Sequence, residues 1–194
     1  MKHRSLKTLS LSSLASVLLC GITPPAAAQQ KLIPAQSELT FVAKQMGVPI
    51  NGHFKKFDAQ VNFDAAKLAA SKVAFTVDMG SATLGSPEMD SDLPKATWFN
   101  TPKFPQATFT SSSFKALGAG KFEVAGQLNI KGQAQAVQVP LTMTQSGTVT
   151  VATGVLPIKR LAFKVGDGEW ADTSMVADDV QVKFKLSLSG VSKF

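Results

Sequence analysis

The groups that could do chemistry in this chain are few. It holds two histidines, His3 and His53, and one cysteine, Cys20. His3 and Cys20 fall in an N-terminal leader described below, so His53 is the one imidazole beyond it. His53 lies in Ile50-Asn-Gly-His53-Phe-Lys-Lys56, and no G-x-S-x-G stretch accompanies it as a nucleophile would require. A histidine so placed reads as a surface or barrel-rim residue rather than a general base. Cysteine nucleophiles and Cys/His zinc sites are excluded by inventory. No G-x-G-x-x-G or P-loop is present to cradle a nucleotide. No catalytic residue, cofactor or metal is expected.

Acids do gather in Gly166-DGEWADTSMVAD-Asp179, which contains Asp167, Glu169, Asp172, Asp178 and Asp179. A hard cation such as calcium takes oxygen ligands of this kind, but the D-x-[DN]-x-[DN]-G order is missing. A solvated loop, with Asp178 and Asp179 capping the entry to the last strand, is the plainer reading. The basic residues are scattered rather than clustered, which is no pattern for nucleic acid.

Whatever these residues do, the elements around them must be mostly strands. The leader comes first: Lys2, Arg4 and Lys7, then the apolar run LSSLASVLLCGI, then Ala26-Ala27-Ala28. This order predicts a secretory signal peptide cleaved after Ala28. The apolar run falls short of the ~20 residues a membrane span needs. Leu19 precedes Cys20 where lipoprotein processing would want a small residue, so Cys20 is expected to leave with the leader. Residues 29–194 then form one domain, with a net charge of +4 and no cysteine. An exported domain of that kind must hold together without disulfides.

Period-two alternation dominates beyond Glu38. Leu39, Phe41 and Ala43 share a face. So do Phe57, Ala59, Val61 and Phe63; Val73, Phe75, Val77 and Met79; and Phe122, Val124, Gly126, Leu128 and Ile130. The run from Val180 to Leu188 sets five apolar residues against Gln181, Lys183, Lys185, Ser187 and Ser189. Such strands belong to an antiparallel sheet with water on one side. Gly-containing turns at Leu117–Gly120, Lys131–Gln133 and Gln145–Gly147 predict hairpins. Seven or eight one-faced strands must pack as a sandwich or close into a barrel. Thirteen phenylalanines and no tyrosine give a core of pure hydrocarbon contact, or rings lining a dry cavity.

Two segments break the pattern. Ala65–Ser71 reads as a helical turn or a wide loop. Gly80–Pro105 reads as a crossover, with a helix opened by Ser86 and Pro87 and limited by Pro94. Its prolines and its Trp98-Phe99 pair suit either a lid or a plug over one end of the sheet structure.

The pieces SELTFVAKQMGVPINGHFKKFDAQVNFD, VAFTVDMGSATLG, KFPQATFTSSSF and FEVAGQLNIKGQAQAVQVPLTM resemble, in that order, the YceI-like family of lipid- or polyisoprenoid-binding periplasmic proteins. The most telling are the FP-x-ATF-x-S run at Phe104–Ser111 and the G-x-L-x-I-x-G run at Gly126–Gly132. The resemblance implies an all-β, lipocalin-like antiparallel barrel of about eight strands, with a short helical crossover covering one end. It also implies an apolar cavity holding an isoprenoid lipid or quinone-like chain for transport, storage or sequestration in the periplasm. The ending, GEWADTSMVADDVQVKFKLSLSG, resembles a subgroup associated with b561-type membrane cytochromes, which gives an alternative role as a cytochrome accessory protein. The chain departs from many members at Asp92, where they carry histidine.

Combined with the alternation, the resemblance nominates Phe41, Phe63, Phe75, Val77, Phe109, Phe122, Leu128, Ile130, Leu141 and Phe184 as cavity contacts. Trp98 and Phe99 are expected at the mouth. A third reading, an enzyme working on the lipid head group, would have to use His53, Asp90 or Asp92.

Overall fold

The computed structural model describes residues 29–194; the leader and its expected cleavage site lie outside the described residues. Eleven strand segments follow in order: β1 (Lys31–Leu32), β2 (Glu38–Gln45), β3 (Val48–Phe54), β4 (Phe57–Asn62), β5 (Lys72–Asp78), β6 (Ala82–Thr83), β7 (Gln106–Gly118), β8 (Lys121–Ile130), β9 (Gln133–Ser146), β10 (Val149–Lys159) and β11 (Asp179–Ser189). Among the described residues the one α-helix is α1 (Pro87–Asp90). All pairings are antiparallel, in the order β1-β4-β5-β7-β8-β9-β10-β11, with β1 pairing back to β11. The sheet therefore closes into an eight-stranded barrel.

The remaining segments complete three kinked staves. β1 and β2 both run along β11, which pairs Leu32 with Leu188 and Leu39 with Phe184. Between them Pro34 opens a 3-10 turn over Pro34–Gln36. β3 and β4 form one stave broken only at Lys55-Lys56. β5 and β6 form another, broken by the 3-10 turn Met79–Ser81. Where the main-chain ladder fails, serine hydroxyls replace its bonds, because an unpaired buried amide is costly. Ser187 N donates to Ser37 Oγ at 2.9 Å, Lys56 N to Ser81 Oγ at 3.0 Å, and Val73 N to Ser111 Oγ at 2.8 Å.

One flank of the wall is only half zipped. β9 and β10 pair from Val149 opposite Ser146 to Gly154 opposite Leu141, and the ladder stops there. The next residue on β9, Pro140, has no N–H to give. Beyond it the wall is closed by side chains, with Val139 and Leu156 buried against each other and Val137 and Ile158 beside them.

Antiparallel order sorts the connections to two ends. Segment 63–71, the turns at Gly118–Gly120 and Gly147, and both chain ends of the domain lie at the base. There Phe63, 3% exposed, meets Phe122 edge-on with centroids 5.2 Å apart, Phe114 at 5.9 Å and Phe194 at 6.1 Å. The Met46-Gly47 turn, crossover 84–105, the Lys131-Gly132 turn and connection 160–178 lie at the other end, the mouth. The 3-10 turn Leu68–Ala70 and helix α1, begun at Pro87 after Ser86, stand where the sequence breaks its alternation.

Candidate ligand-binding cavity

Alternation along each stave sends one set of side chains inward, and those sets do not meet in the middle. They surround a cavity of about 410 Å3, within the size range of small-molecule sites. Phe75, Phe109, Leu128 and Phe184 point into the barrel yet are only half-buried. Interiors ordinarily pack to crystal density, so their exposure is exposure to the hollow.

The cavity wall includes Phe41, Phe63, Phe75, Val77, Phe109, Leu128, Ile130, Leu141 and Phe184, with Trp98 and Phe99 toward the mouth. Phe122 is the exception among the nominated residues. It faces inward from the start of β8, but at that height it packs into the basal cluster under Phe63 and Phe194 instead of on the cavity wall.

Polar groups reach the lining only near the mouth: Lys44, Gln45, Asp92 and Arg160, besides the indoles of Trp98 and Trp170. Arg160 is the least expected of them. It is 3% exposed and has no carboxylate within ion-pairing distance among the described residues. All its donors are instead taken by main-chain carbonyls of the connection that follows. Nε donates to Ala177 O at 3.1 Å, Nη1 to Val165 O at 2.9 Å and Gly166 O at 2.5 Å, and Nη2 to Trp170 O at 2.6 Å and Val176 O at 2.7 Å. Burial pushes the guanidinium pKa down, with Asp178 opposing weakly.

Lys131, 7% exposed, does similar work from the β8–β9 turn. Its Nζ donates to Lys164 O, to Thr97 O at 3.3 Å and to Asp167 Oδ2 at 3.3 Å. Gly166 N also donates to Thr97 O at 2.8 Å. Trp98 stacks obliquely on Trp170 with centroids 5.6 Å apart, and Phe99 approaches Phe54 at 6.3 Å. The crossover is thus bonded to connection 160–178 and packed on the barrel rim. Neither Arg160 nor Lys131 carries a sequence signal, because their partners are carbonyls that every residue owns.

The acids of connection 160–178 are dispersed. Asp167 meets Lys131; Asp172 accepts from Ser174 N at 2.8 Å and Ser174 Oγ at 2.7 Å; Asp178 accepts from Leu161 N at 3.0 Å; Asp179 pairs with Lys159 at 2.7 Å. Among the described residues no group of three or more His, Cys, Asp or Glu side chains could hold a metal ion. Of His53, Asp90 and Asp92, the first two are neighbours through Thr83, and Asp92 is paired elsewhere. His53 is exposed on β3 between Thr40 and Thr83 of the flanking strands. Asp90 accepts from Leu84 N at 2.6 Å and Thr83 Oγ1 at 2.5 Å, and these bonds hold its carboxyl below the usual range. Asp92 pairs with Lys95 at the mouth.

The YceI-like domain matches residues 31–188. A UPF0312 protein of Vibrio cholerae is 32% identical over 106 residues, 54% of this chain and 56% of that protein; the chain thus matches about half the length of such curated relatives. Among solved structures, BcnA of Burkholderia cenocepacia is 48% identical, with 80% of this chain and 98% of that one covered at a TM-score of 0.78. A polyisoprenoid binding domain from Saccharophagus degradans, implicated in plant cell wall breakdown, shares the fold at 18% identity and a TM-score of 0.68, over 83% of this chain and 98% of that one. With the family match spanning most of the described barrel, the chain belongs to the YceI-like domain family.

Proposed function

We propose that this protein holds a single prenyl-type lipid or quinone tail inside its barrel, chain inward and head at the mouth, and that it carries, stores or sequesters that lipid in the periplasm. The observation that supports this most is the polarity of the cavity along its axis. Its depth is hydrocarbon down to the aromatic base, and every charged group on its lining sits at the mouth. A five-carbon prenyl unit gains roughly 4 kcal/mol on leaving water, at about 0.8 kcal/mol per carbon, so a chain of several units has almost no monomeric solubility. A hydrocarbon-lined hollow with a polar rim suits such a cargo. The polyisoprenoid binding named for the Saccharophagus domain agrees with this reading. No helix among the described residues is long and apolar enough to cross a membrane. Asp167 and Asp178 of the acidic connection are held by internal bonds, and no observation favours a cytochrome partner.

Extraction of the purified protein with organic solvent, followed by mass spectrometry, is expected to release a prenyl-chain lipid. Lipid-stripped protein is expected to take up geranylgeraniol. Leu128→Trp, which adds a ring to the lumen, is expected to weaken that uptake about tenfold or more, the equivalent of about two displaced CH2 groups. A protein that emerges empty and then refuses geranylgeraniol overturns the reading.

A further inference from the structure

We infer that Gly52, Gly126 and Gly154 set the bore of the cavity and restrict it to a slender, flexible chain. The inference rests on the lipid-binding reading and specifies the class of lipid. Each glycine lies within a strand, and none has a positive φ, so the backbone does not require glycine there. Glycine inside a strand is destabilising relative to alanine and leaves the wall without a side chain. At all three positions a phenylalanine of the neighbouring strand occupies the bared place.

A Cβ added at Gly52 would lie 2.2 Å from Phe41 Cζ and 2.6 and 2.7 Å from its Cε atoms. One added at Gly154 would lie 2.4 Å from Phe184 Cζ, and one at Gly126 would lie 2.6 Å from Phe109 Cε2 and Cζ. Phe41 and Gly52 are direct cross-strand partners, as are Phe184 and Gly154. Phe109 reaches Gly126 diagonally, since its direct partner is Leu128. In each case the inward-facing ring leans along the wall onto bare backbone. The lumen exists because these rings are laid aside.

Phe41 and Phe184 come from the paired strands β2 and β11, and Phe109 comes from β7 on the opposite side of the barrel; all three line the cavity. A flexible chain threads past them. A rigid fused-ring lipid meets a ring edge on more than one side and is excluded. An alanine at any of the three positions leaves its phenylalanine no place but the lumen, because a Cβ essentially never approaches another heavy atom within 3.0 Å.

Gly52 is the position to test. The atoms nearest its added Cβ all belong to the Phe41 ring, whereas Gly126 and Gly154 also abut the carbonyl oxygens of Thr110 and Pro140, each at 2.5 Å. Binding of geranylgeraniol and of a sterol is measured on lipid-stripped wild type, Gly52→Ala, Phe41→Leu and the double variant. Wild type is expected to bind the prenyl alcohol and refuse the sterol. Gly52→Ala is expected to weaken prenyl binding about tenfold or more, Gly52→Ala/Phe41→Leu to recover it to within about threefold, and Phe41→Leu alone to admit the sterol. Unchanged affinity in Gly52→Ala, or a double variant as weak as the single, overturns the inference. If wild type refuses geranylgeraniol, the lipid-binding reading fails by itself, and the bore is decided without ligand. A nuclear Overhauser contact between the Phe41 ring and the Gly52 α-protons supports it, and the absence of that contact in wild type refutes it.

Discussion

Replacing Arg160 by methionine keeps most of the side-chain stem and removes the guanidinium that gathers connection 160–178. Five carbonyl oxygens, those of Val165, Gly166, Trp170, Val176 and Ala177, lose their donor at once. Bonds to a charged donor contribute about 1.5–3 kcal/mol each, but adding five such terms overshoots. Part is offset because the variant no longer buries a charge, and some of the freed carbonyls reach water. Breaking a buried charged arrangement costs about 3–5 kcal/mol in comparable cases. A net loss of about 3 kcal/mol at 2–4 °C per kcal/mol lowers the melting temperature of a domain this size by about 10 °C. Arg160→Lys, with three donors on one nitrogen, restores some of the bonds, and a fall of about 5 °C is expected. The guanidinium stays charged throughout the accessible pH range, so the loss is the same at pH 5 and pH 8. Calorimetry measures the melting temperatures. Hydrogen exchange is expected to show amides 165–177 loosening while the ladder of β7, β8 and β9 stays protected. A melting temperature within about 2 °C of wild type for Arg160→Met would refute the reasoning.

Two further outcomes follow from the base and from the crossover. Phe63→Ala removes the ring shared by the cavity floor and the basal cluster, and a loss of about 3–5 kcal/mol by urea unfolding is expected, together with faster release of a loaded prenyl alcohol; wild-type stability would contradict it. Asp90 has a lowered folded-state pKa, from Leu84 N first and the Thr83 hydroxyl second. Its contribution is therefore full above the ordinary aspartate value of about 3.9 and is lost as pH falls through the lowered folded value. Asp90→Asn is expected to be less stable than wild type at pH 6, with the gap narrowing as the pH falls to 2.5; a gap that stays constant between the two would count against the bonds described.

The faces of the strands were legible in the sequence because a period of two leaves little freedom once one face is oily. Height along the axis was not. Phe122 shares the inward face of β8 with Val124 and Leu128, and only the closed barrel shows that it belongs to the floor. The kink between β3 and β4 did leave a trace. Phe54 and Phe57 both pack inward but stand three residues apart, which strict alternation forbids and the extra residue at Lys55-Lys56 permits. The crossover was read as a lid or a plug. The bonds that Gly166 N and Lys131 Nζ donate to Thr97 O join segments far apart in the chain, and no local pattern encodes them. The role of the glycines under Phe41, Phe109 and Phe184 depends on ring positions that no periodicity specifies.

The half-zipped flank between β9 and β10 bears on how the protein behaves in a crowd. Residues 133–140 pair with β8 and residues 155–159 with β11, but on the margins that face each other they have no ladder partners, and bare strand margins invite strands from other molecules. Charged side chains are the usual deterrent, yet no charged residue occurs from Gly132 to Ile158. Pro140 and Pro157 stand there instead, one on each margin, and each withholds an amide from any incoming strand. Two imino acids thus take over the guarding of the open margins against fibrous self-association, and the wall can stay unlaced without becoming a template.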